Sequence, residues 1–570
     1  MLTQSTLRPA AQPALSSPGQ RARWTLAGLL ALGVAGGVWF GLPALSAHAR
    51  LAFITFGLAV IGWVLTEIDD TLIALAAAIT FTVVGVDEPA EFFETLGDAS
   101  IWLLLASFII AAAVAASGLS SRFTLWLATR ATSVQRLFWL LTFGLMATAF
   151  VIPATSGRAA LMLPIFTALA AGIGEARITR ALALLFPTII LLSAIASLIG
   201  AGAHLITAEI LERMGGERLG FGRWLALGLP FAAVSCALST WVILHLFLNG
   251  RERRRPLALT AASLAATAGK SGCAINLAGP LTRGEKFVLG LVTALTLLWM
   301  TESLHGVHKT IVALLGAIAL TAPRFGVIAL KDALKKVEWT MLLFMAATLE
   351  LGEALLESGA AAWLVQGFFT LLHRGAAGAV ELVVAGVALA SLLAHLFITS
   401  RTARSSVLVP VVALLGAALG YNPTMLAFLS TAAAGFCLTL TVSAKPVAMF
   451  SQIEDAPTYQ PRDLLKLSGV LLPVHFALLL VFALYVWPLL GLRLTPPPET
   501  TPPAPGWNEA AALHTPGLPG ADDPRPADAP PTPVPTPLAA FEASAAPSAA
   551  ADSAPPTRLP PLRSTQEKRP

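Results

Sequence analysis

TSGRAALMLP at residues 155–164 and RTARSSVLVP at residues 401–410 align at a constant offset of 246. In that register Ser156 matches Thr402, Arg158 matches Arg404, Pro164 matches Pro410 and, further on, Gly174 matches Gly420. Upstream, GDASIWLLLASFIIAAAVAASGL (97–119) resembles KVEWTMLLFMAATLELGEALLESG (336–359). The chain therefore reads as two homologous halves, 24–248 and 286–492, joined by a polar, basic linker at 249–285 that opens with NGRERRRP. A polar segment, 1–23, precedes them, and a Pro/Ala-rich tail, 493–570, follows; the tail's composition cannot bury a core and is expected to be disordered.

The medium of the two halves follows from composition. Of 570 residues 56% are apolar and 12% charged, against about 25% charged in an ordinary soluble domain. The apolar residues fall in runs long enough to cross about 30 Å of hydrocarbon at about 1.5 Å per residue. The net charge of +5 is scattered at the ends of those runs, as membrane orientation requires, and is no footprint of nucleic-acid binding. Arg8, Arg21 and Arg23 in a polar N-terminus, followed by an apolar stretch at 24–45, read as a first transmembrane helix and not as a cleaved signal. Cys236, Cys273 and Cys437 lack metal-ligand spacing and are expected to be small buried hydrophobes.

The two aligned stretches each interrupt a pair of short apolar runs, 137–153 with 159–173 and 379–398 with 405–420. Two full spans would put an Arg-bearing turn at the membrane surface; a re-entrant hairpin would put it near the midplane, where irregular backbone must be covered by protein or water. Treating 137–174 and 379–420 as re-entrant hairpins leaves eleven spans. The N-terminus, the Arg122–Arg136 loop, the linker and the 323–337 loop, all rich in Lys and Arg, then share one side, which is expected to be the cytoplasm. The acidic 87–98 loop and the tail fall outside, and the hairpins enter from opposite sides. The expected fold is an all-α polytopic membrane protein, with about eleven transmembrane helices plus two re-entrant hairpins in an inverted repeat, in the plasma (inner) membrane. Matching broken segments in two halves point to a transporter's binding site.

An ionised Arg at membrane depth costs at least about 2.5–3.5 kcal/mol. Arg158 and Arg404 are therefore expected to neutralise a small anionic substrate, since guanidinium forks match carboxylate or sulfate oxygens. The alternative is that each binds backbone carbonyls at its own hairpin tip or snorkels to an interface. Arg401 is a further candidate, with bulk water as its alternative. Thr155, Ser156, Gly157, Ser400 and Thr402 suit an oxyanion, by hydroxyl donation or close backbone approach, although Ser and Thr also cap broken helices. Helix N-termini at 158–161 and 404–407 would aim free N–H groups at the same point. Two more segments carry small and polar residues in apolar runs and are candidate cavity linings: Ser197, Gly200, Gly202 and His204; and Thr439, Thr441, Ser443, Lys445 and Pro446. His204 could equally be a packing residue and Lys445 could snorkel. Glu350, Glu353 and Glu357 lie at i, i+3 and i+7 and read as one helix face near an interface, with a proton relay as the alternative. No zinc motif, phosphate loop or dinucleotide fingerprint is visible, and neither cofactor nor structural metal is expected.

This layout resembles the divalent anion:sodium symporter (DASS) family within the ion transporter superfamily, over about residues 50–492. That family carries a Ser-Asn-Thr motif at each hairpin tip, followed by small residues and a Pro. Ala154-Thr155-Ser156 before GRAALMLP and Ser400-Arg401-Thr402 before ARSSVLVP are similar to these. The family's Gly-rich stretch ending in Thr-Pro-Pro-Asn resembles Ser197 to His204, and its counterpart resembles Thr439 to Pro446. The resemblance implies dimeric, elevator-type secondary transport of dicarboxylate, citrate or sulfate, often driven by sodium, with the hairpin tips holding substrate and cation together. Here Thr155, Arg401, His204 and Lys445 stand where the family has Asn, and Arg158 and Arg404 where it often has Thr. A guanidinium supplies the charge sodium would have supplied and repels the ion. The expectation is an anion carrier that is not sodium-coupled. The other readings are an arsenite or oxyanion permease of the same superfamily and, without paired acids or an output domain to support them, a membrane enzyme or sensor.

Overall fold

The computed structural model describes residues 18–257, 259–260, 279–360, 363, 380–453 and 456–495. The tail beyond 495, the polar segment before 18, most of the linker and Cys273 lie outside them. The first half contains α1 (Pro18–Gly41), α2 (Ala47–Leu65), α3 (Asp70–Val83), α4 (Pro89–Thr95), α5 (Ala99–Ser117), α6 (Leu119–Thr129), α7 (Val134–Ala147), α8 (Thr155–Ile173), α9 (Ala176–Leu192), α10 (Gly202–Arg213), α11 (Phe221–Phe247) and α12 (Gly250–Arg254). The second contains α13 (Arg283–Met300), α14 (Lys309–Thr321), α15 (Leu330–Leu334), α16 (Trp339–Glu357), α17 (Val380–Leu393), α18 (Arg401–Ala418), α19 (Pro423–Ala433), α20 (Lys445–Ser451) and α21 (Pro461–Val481). No strand occurs among the described residues, and eight helical stretches there are long and apolar enough to cross a membrane.

Local chemistry sets the boundaries. Asp69, Asp98, Ser133, Thr282 and Asn422 each accept a backbone N–H as N-caps. The first helix stops at Gly41 rather than near 45, because Pro43 excludes helical backbone from the residue before it. The matched glycines Gly174 and Gly420 both adopt left-handed backbone, with φ +65° and +72°, just past the ends of α8 and α18. A residue with a Cβ would be strained there, which explains why both halves end this hairpin arm on glycine.

The long apolar stretches 181–209 and 424–450 are broken, not continuous. Between α9 and α10, residues 193–201 form only two 3-10 turns; between α19 and α20 the helix is absent from 434 to 444. Trp224 in α11 donates its Nε1–H to the Ile195 carbonyl at 3.0 Å, satisfying one freed group of the first break. Gly228, one turn further along α11, lets that segment lie against the helix, since a Cβ there would collide with the same Ile195 oxygen.

The helices assemble into two sets. In one, α2 packs on α3, α3 on α16, α5 on α14, and α13 on α14. In the other, α7, α9 and α11 pack together, as do α17, α19 and α21. The halves interlock inside this second set: α10 packs against α18 and α19, while α20 packs against α8 and α9.

Gly228→Ala is expected to destabilise the purified protein by about 1–3 kcal/mol, the range for overpacking a filled core. A thermal unfolding midpoint in detergent equal to that of the parent chain would contradict this account of the break.

Candidate functional site

Each of the interrupted pairs, α7 with α8 and α17 with α18, pauses in a short non-helical tip: 151–154 in the first, 397–400 in the second. Helix α8 resumes at Thr155 and α18 at Arg401, three residues earlier than expected from the positions of Arg158 and Arg404. That difference decides where the side chains go. Thr155, Ser156, Ser400, Arg401 and Thr402 line a cavity of about 240 Å³, whereas Gly157, Arg158 and Arg404 do not.

Arg158 and Arg404 are both 0% exposed; protein atoms accept from every guanidinium nitrogen of Arg158 and from both terminal nitrogens of Arg404, whose Nε has no hydrogen-bond partner among the described residues. Arg158 donates through Nε to Thr148 Oγ1 (3.0 Å), through Nη1 to the Ile190 carbonyl (2.9 Å), and through Nη2 to the Leu145 carbonyl and Ser193 Oγ (both 2.7 Å). Arg404 donates through Nη1 to the Ile398 carbonyl (3.2 Å) and through Nη2 to the Ala434 carbonyl (3.2 Å) and Cys437 Sγ (2.7 Å). Each Arg thus ties the end of one hairpin arm to the end of the next broken helix, where carbonyls lack helical partners and the dipole favours a cation. The expectation that these two groups meet around a shared substrate cavity is corrected: backbone carbonyls, the alternative weighed from sequence, are what they bind. Cys437 is accordingly more than filler, since its sulfur accepts from Arg404.

Arg401 is the cation that faces the cavity. Its Nη2 lies 3.0 Å from His204 Nε2, while its buried Nε and Nη1 have no hydrogen-bond partner among the described residues. His204, on α10, puts Nδ1 3.0 Å from the Ser197 carbonyl, which can only accept. Nδ1 therefore carries the proton, and Nε2 offers its lone pair to the guanidinium. The ring also stacks against Trp224, with centroids 5.1 Å apart. A Cβ on Gly435 would lie 3.2 Å from Arg401 Nη2, so the glycine makes room for the guanidinium.

The other candidates divide. Lys445, Pro446 and Gly202 line the cavity. Ser197, Gly200, Thr439, Thr441 and Ser443 do not. Ser197 is buried in the first break. Gly200 is where a Cβ would strike the Ala194 carbonyl. Thr439 joins His395 (2.8 Å) to Ser468 (2.7 Å), and Ser443 accepts the Leu440 N–H.

Helices α8, α10 and α18 all begin at the cavity wall, and short α20 begins there too. The N-caps of α8 and α10, Ala154 and Ala201, provide no side-chain cap, so first-turn N–H groups remain for a ligand. Three acids contributed by the other helix set, Asp69, Asp70 and Glu338, also line the cavity and were not foreseen. Glu338 accepts the Ser156 hydroxyl at 3.0 Å, and Asp70 lies beside Ser400 and Lys445. Their positions at the starts of α16 and α3 look like ordinary helix-capping acids in sequence. Only the packing of α3 on α16 brings them to the tips.

The profile of the family described as sodium:sulfate symporter transmembrane region matches residues 23–493. Among curated proteins, a membrane protein of Cupriavidus necator is 27% identical over 68% of this chain and 74% of its own length. The sodium-dependent dicarboxylate transporter SdcS of Staphylococcus saprophyticus is 25% identical over 76% and 86%, and the citrate/succinate antiporter of Escherichia coli is 22% identical over 51% and 56%. Among solved structures, MtrF of Neisseria gonorrhoeae, from a class of antimetabolite efflux pumps, shares the fold at a TM-score of 0.53 and 15% identity, covering 85% of this chain and 98% of that one.

Arg158→Ala and Arg404→Ala are each expected to lower stability by at least about 1–3 kcal/mol, the cost of leaving a buried acceptor unsatisfied. The loss should appear as a fall in thermal midpoint with no substrate present. If Arg404→Ala kept the parent midpoint and lost only ligand binding, the structural role would be wrong.

Proposed function

The chain belongs to the sodium:sulfate symporter family, the DASS-type anion transporters, and is an integral membrane protein; from that premise we propose that it carries a small di- or trivalent anion on Arg401, without sodium. The observation that carries this reading is the Arg401 guanidinium, which has two buried nitrogens without a hydrogen-bond partner among the described residues, at a cavity where helix N-termini converge. A carboxylate or sulfate oxygen supplies the acceptors these donors lack, and the low local dielectric strengthens the pairing. Hydroxyls of Thr155, Ser156, Ser400 and Thr402 add neutral donors. Ser156 already donates to the Glu338 carboxylate, the kind of oxygen a carboxylate substrate would present. Lys445 adds charge at the exposed edge of the cavity.

Arg401 also bears on coupling. Hard cations take oxygen ligands, and the second tip places guanidinium N–H donors where a sodium ion would need oxygens. His204, on the neighbouring helix, directs its one free lone pair at that guanidinium. Arg401 and His204 do not fit a sodium ion, and a positive charge is built in at the second tip; the carboxylates of Asp69, Asp70 and Glu338 line the cavity from the other helix set, where Glu338 is engaged by Ser156 and Asp70 lies beside Ser400 and Lys445. The cycle is then exchange, proton-coupled transport or uniport, and exchange is the mode named for the Escherichia coli relative.

The count of Lys and Arg in the loops supports a cytoplasmic side at the starts of α3 and α16. The cavity, beside Asp69, Asp70 and Glu338, therefore opens inward, with the hairpins re-entrant from opposite sides. Transport moves the set containing the hairpins against the set built on α2, α3, α5, α13, α14 and α16, in a homodimer, as the family resemblance implies. No covalent chemistry is involved.

Proteoliposomes loaded with succinate, citrate or sulfate are expected to exchange at least one of them equally well in sodium-free and sodium-containing buffer. Strict sodium dependence would end the coupling claim. Arg401→Gln is expected to weaken binding at least tenfold, in line with about 1.5–3 kcal/mol for a hydrogen bond to a charged group, while the thermal midpoint holds or rises. Unchanged affinity in that variant would end the site assignment.

A further inference from the structure

At the end of α16 remote from the cavity, Glu350, Glu353 and Glu357 meet α4 and the turn before it. Carboxylate oxygens of Asp87, Glu91 and Glu357 lie within 4.8 Å of one another. Behind them, Glu350 is only 2% exposed, and neither of its oxygens has a hydrogen-bond partner among the described residues. Its carboxyl adjoins that of Asp87, whose Oδ2 is likewise buried and without a partner. The nearby cation, Arg213, is already engaged by Asp98 (3.2 Å), Glu209 (3.4 Å) and Glu353. Among the described residues no ion pair reaches Asp87, Glu91, Glu350 or Glu357. Carboxyl groups held this close, one of them sealed from water, are stabilised by a shared proton or by a bound cation, and no cation of the chain pairs with them among the described residues.

We infer that Asp87, Glu91 and Glu357, backed by Glu350, bind a divalent hard cation of calcium size that fastens α4 to the end of α16. An ion about 2.3–2.6 Å from each oxygen bridges oxygens at this spacing, and calcium tolerates the irregular, partly hydrated shell that two exposed glutamates give. Magnesium requires near-octahedral ligands at about 2.0–2.1 Å and fits less well. Glu350 supplies the buried oxygen, or holds an inner-shell water, and is thereby satisfied. The site lies away from the Arg401 cavity and is independent of what that cavity carries.

The test uses the full chain purified in detergent, stripped with chelator, at neutral pH and without anion substrate. Thermal unfolding is followed while calcium chloride is added against sodium chloride of matched ionic strength, with magnesium chloride as a second arm. The midpoint is expected to rise saturably, with half-effect at roughly 10⁻⁴–10⁻³ M calcium. Glu357→Gln and Asp87→Asn should each shift the calcium response at least tenfold upward, while their chelator-treated midpoints equal or exceed the parent's, because like charges have been removed. A rise no greater than the matched sodium chloride produces, or an unchanged response in both variants, would overturn the site. The parent titration alone decides the matter if either variant fails to fold.

Discussion

A helix that stops inside a membrane leaves carbonyl oxygens with no water to turn to, and the whole second set of helices is arranged around that fact. At the ends of α7, α9, α17 and α19 stand Arg158 and Arg404, each fully buried and each spread over several acceptors. A guanidinium suits this task because its five N–H bonds diverge in one plane, so a single side chain can bind two chain ends at once. The cost of burying its charge is offset by the negative ends of the helices it joins. Without these clamps the carbonyls of Ile190 and Ala434, beside the 193–201 and 434–444 breaks, would lose the donors that satisfy them.

The clamps also explain how a second cation stays free. Arg401 sits one turn before Arg404 on the same helix, yet one points into the cavity and the other into the carbonyl ends. Because Arg404 already holds the Ile398 and Ala434 carbonyls, Arg401 is left with His204, which engages only one of its nitrogens. In the first half the matching positions are Thr155 and Arg158, so the clamp is repeated but the free cation is not. The halves share a scaffold and differ in charge, and both cations that line the cavity, Arg401 and Lys445, come from the second.

The membrane class and both interrupted pairs were legible in the sequence, because each leaves a local mark, apolar length or a polar break; the match of Gly174 with Gly420 was visible too, though not the left-handed backbone both adopt. The roles of Arg158, Arg401 and Arg404 were not. Helix phase separates a clamp from a ligand-facing residue, and phase turns on where a helix resumes, which shifted by three residues from expectation. The acids at the cavity, Asp69, Asp70 and Glu338, and the carboxylate group of Asp87, Glu91 and Glu357 were hidden for another reason. Each is assembled from segments hundreds of residues apart, and an acid beside a helix start reads in isolation as a cap. The family resemblance narrowed the chemistry but placed no side chain.

The way α10 seats against α18 while α20 seats against α8 has a consequence for severing the chain. Among the described residues, the short helix after each break is held by the other part of the chain. Two fragments cut at the linker would rebuild the cavity only by reassociating, each lending the other its short helix.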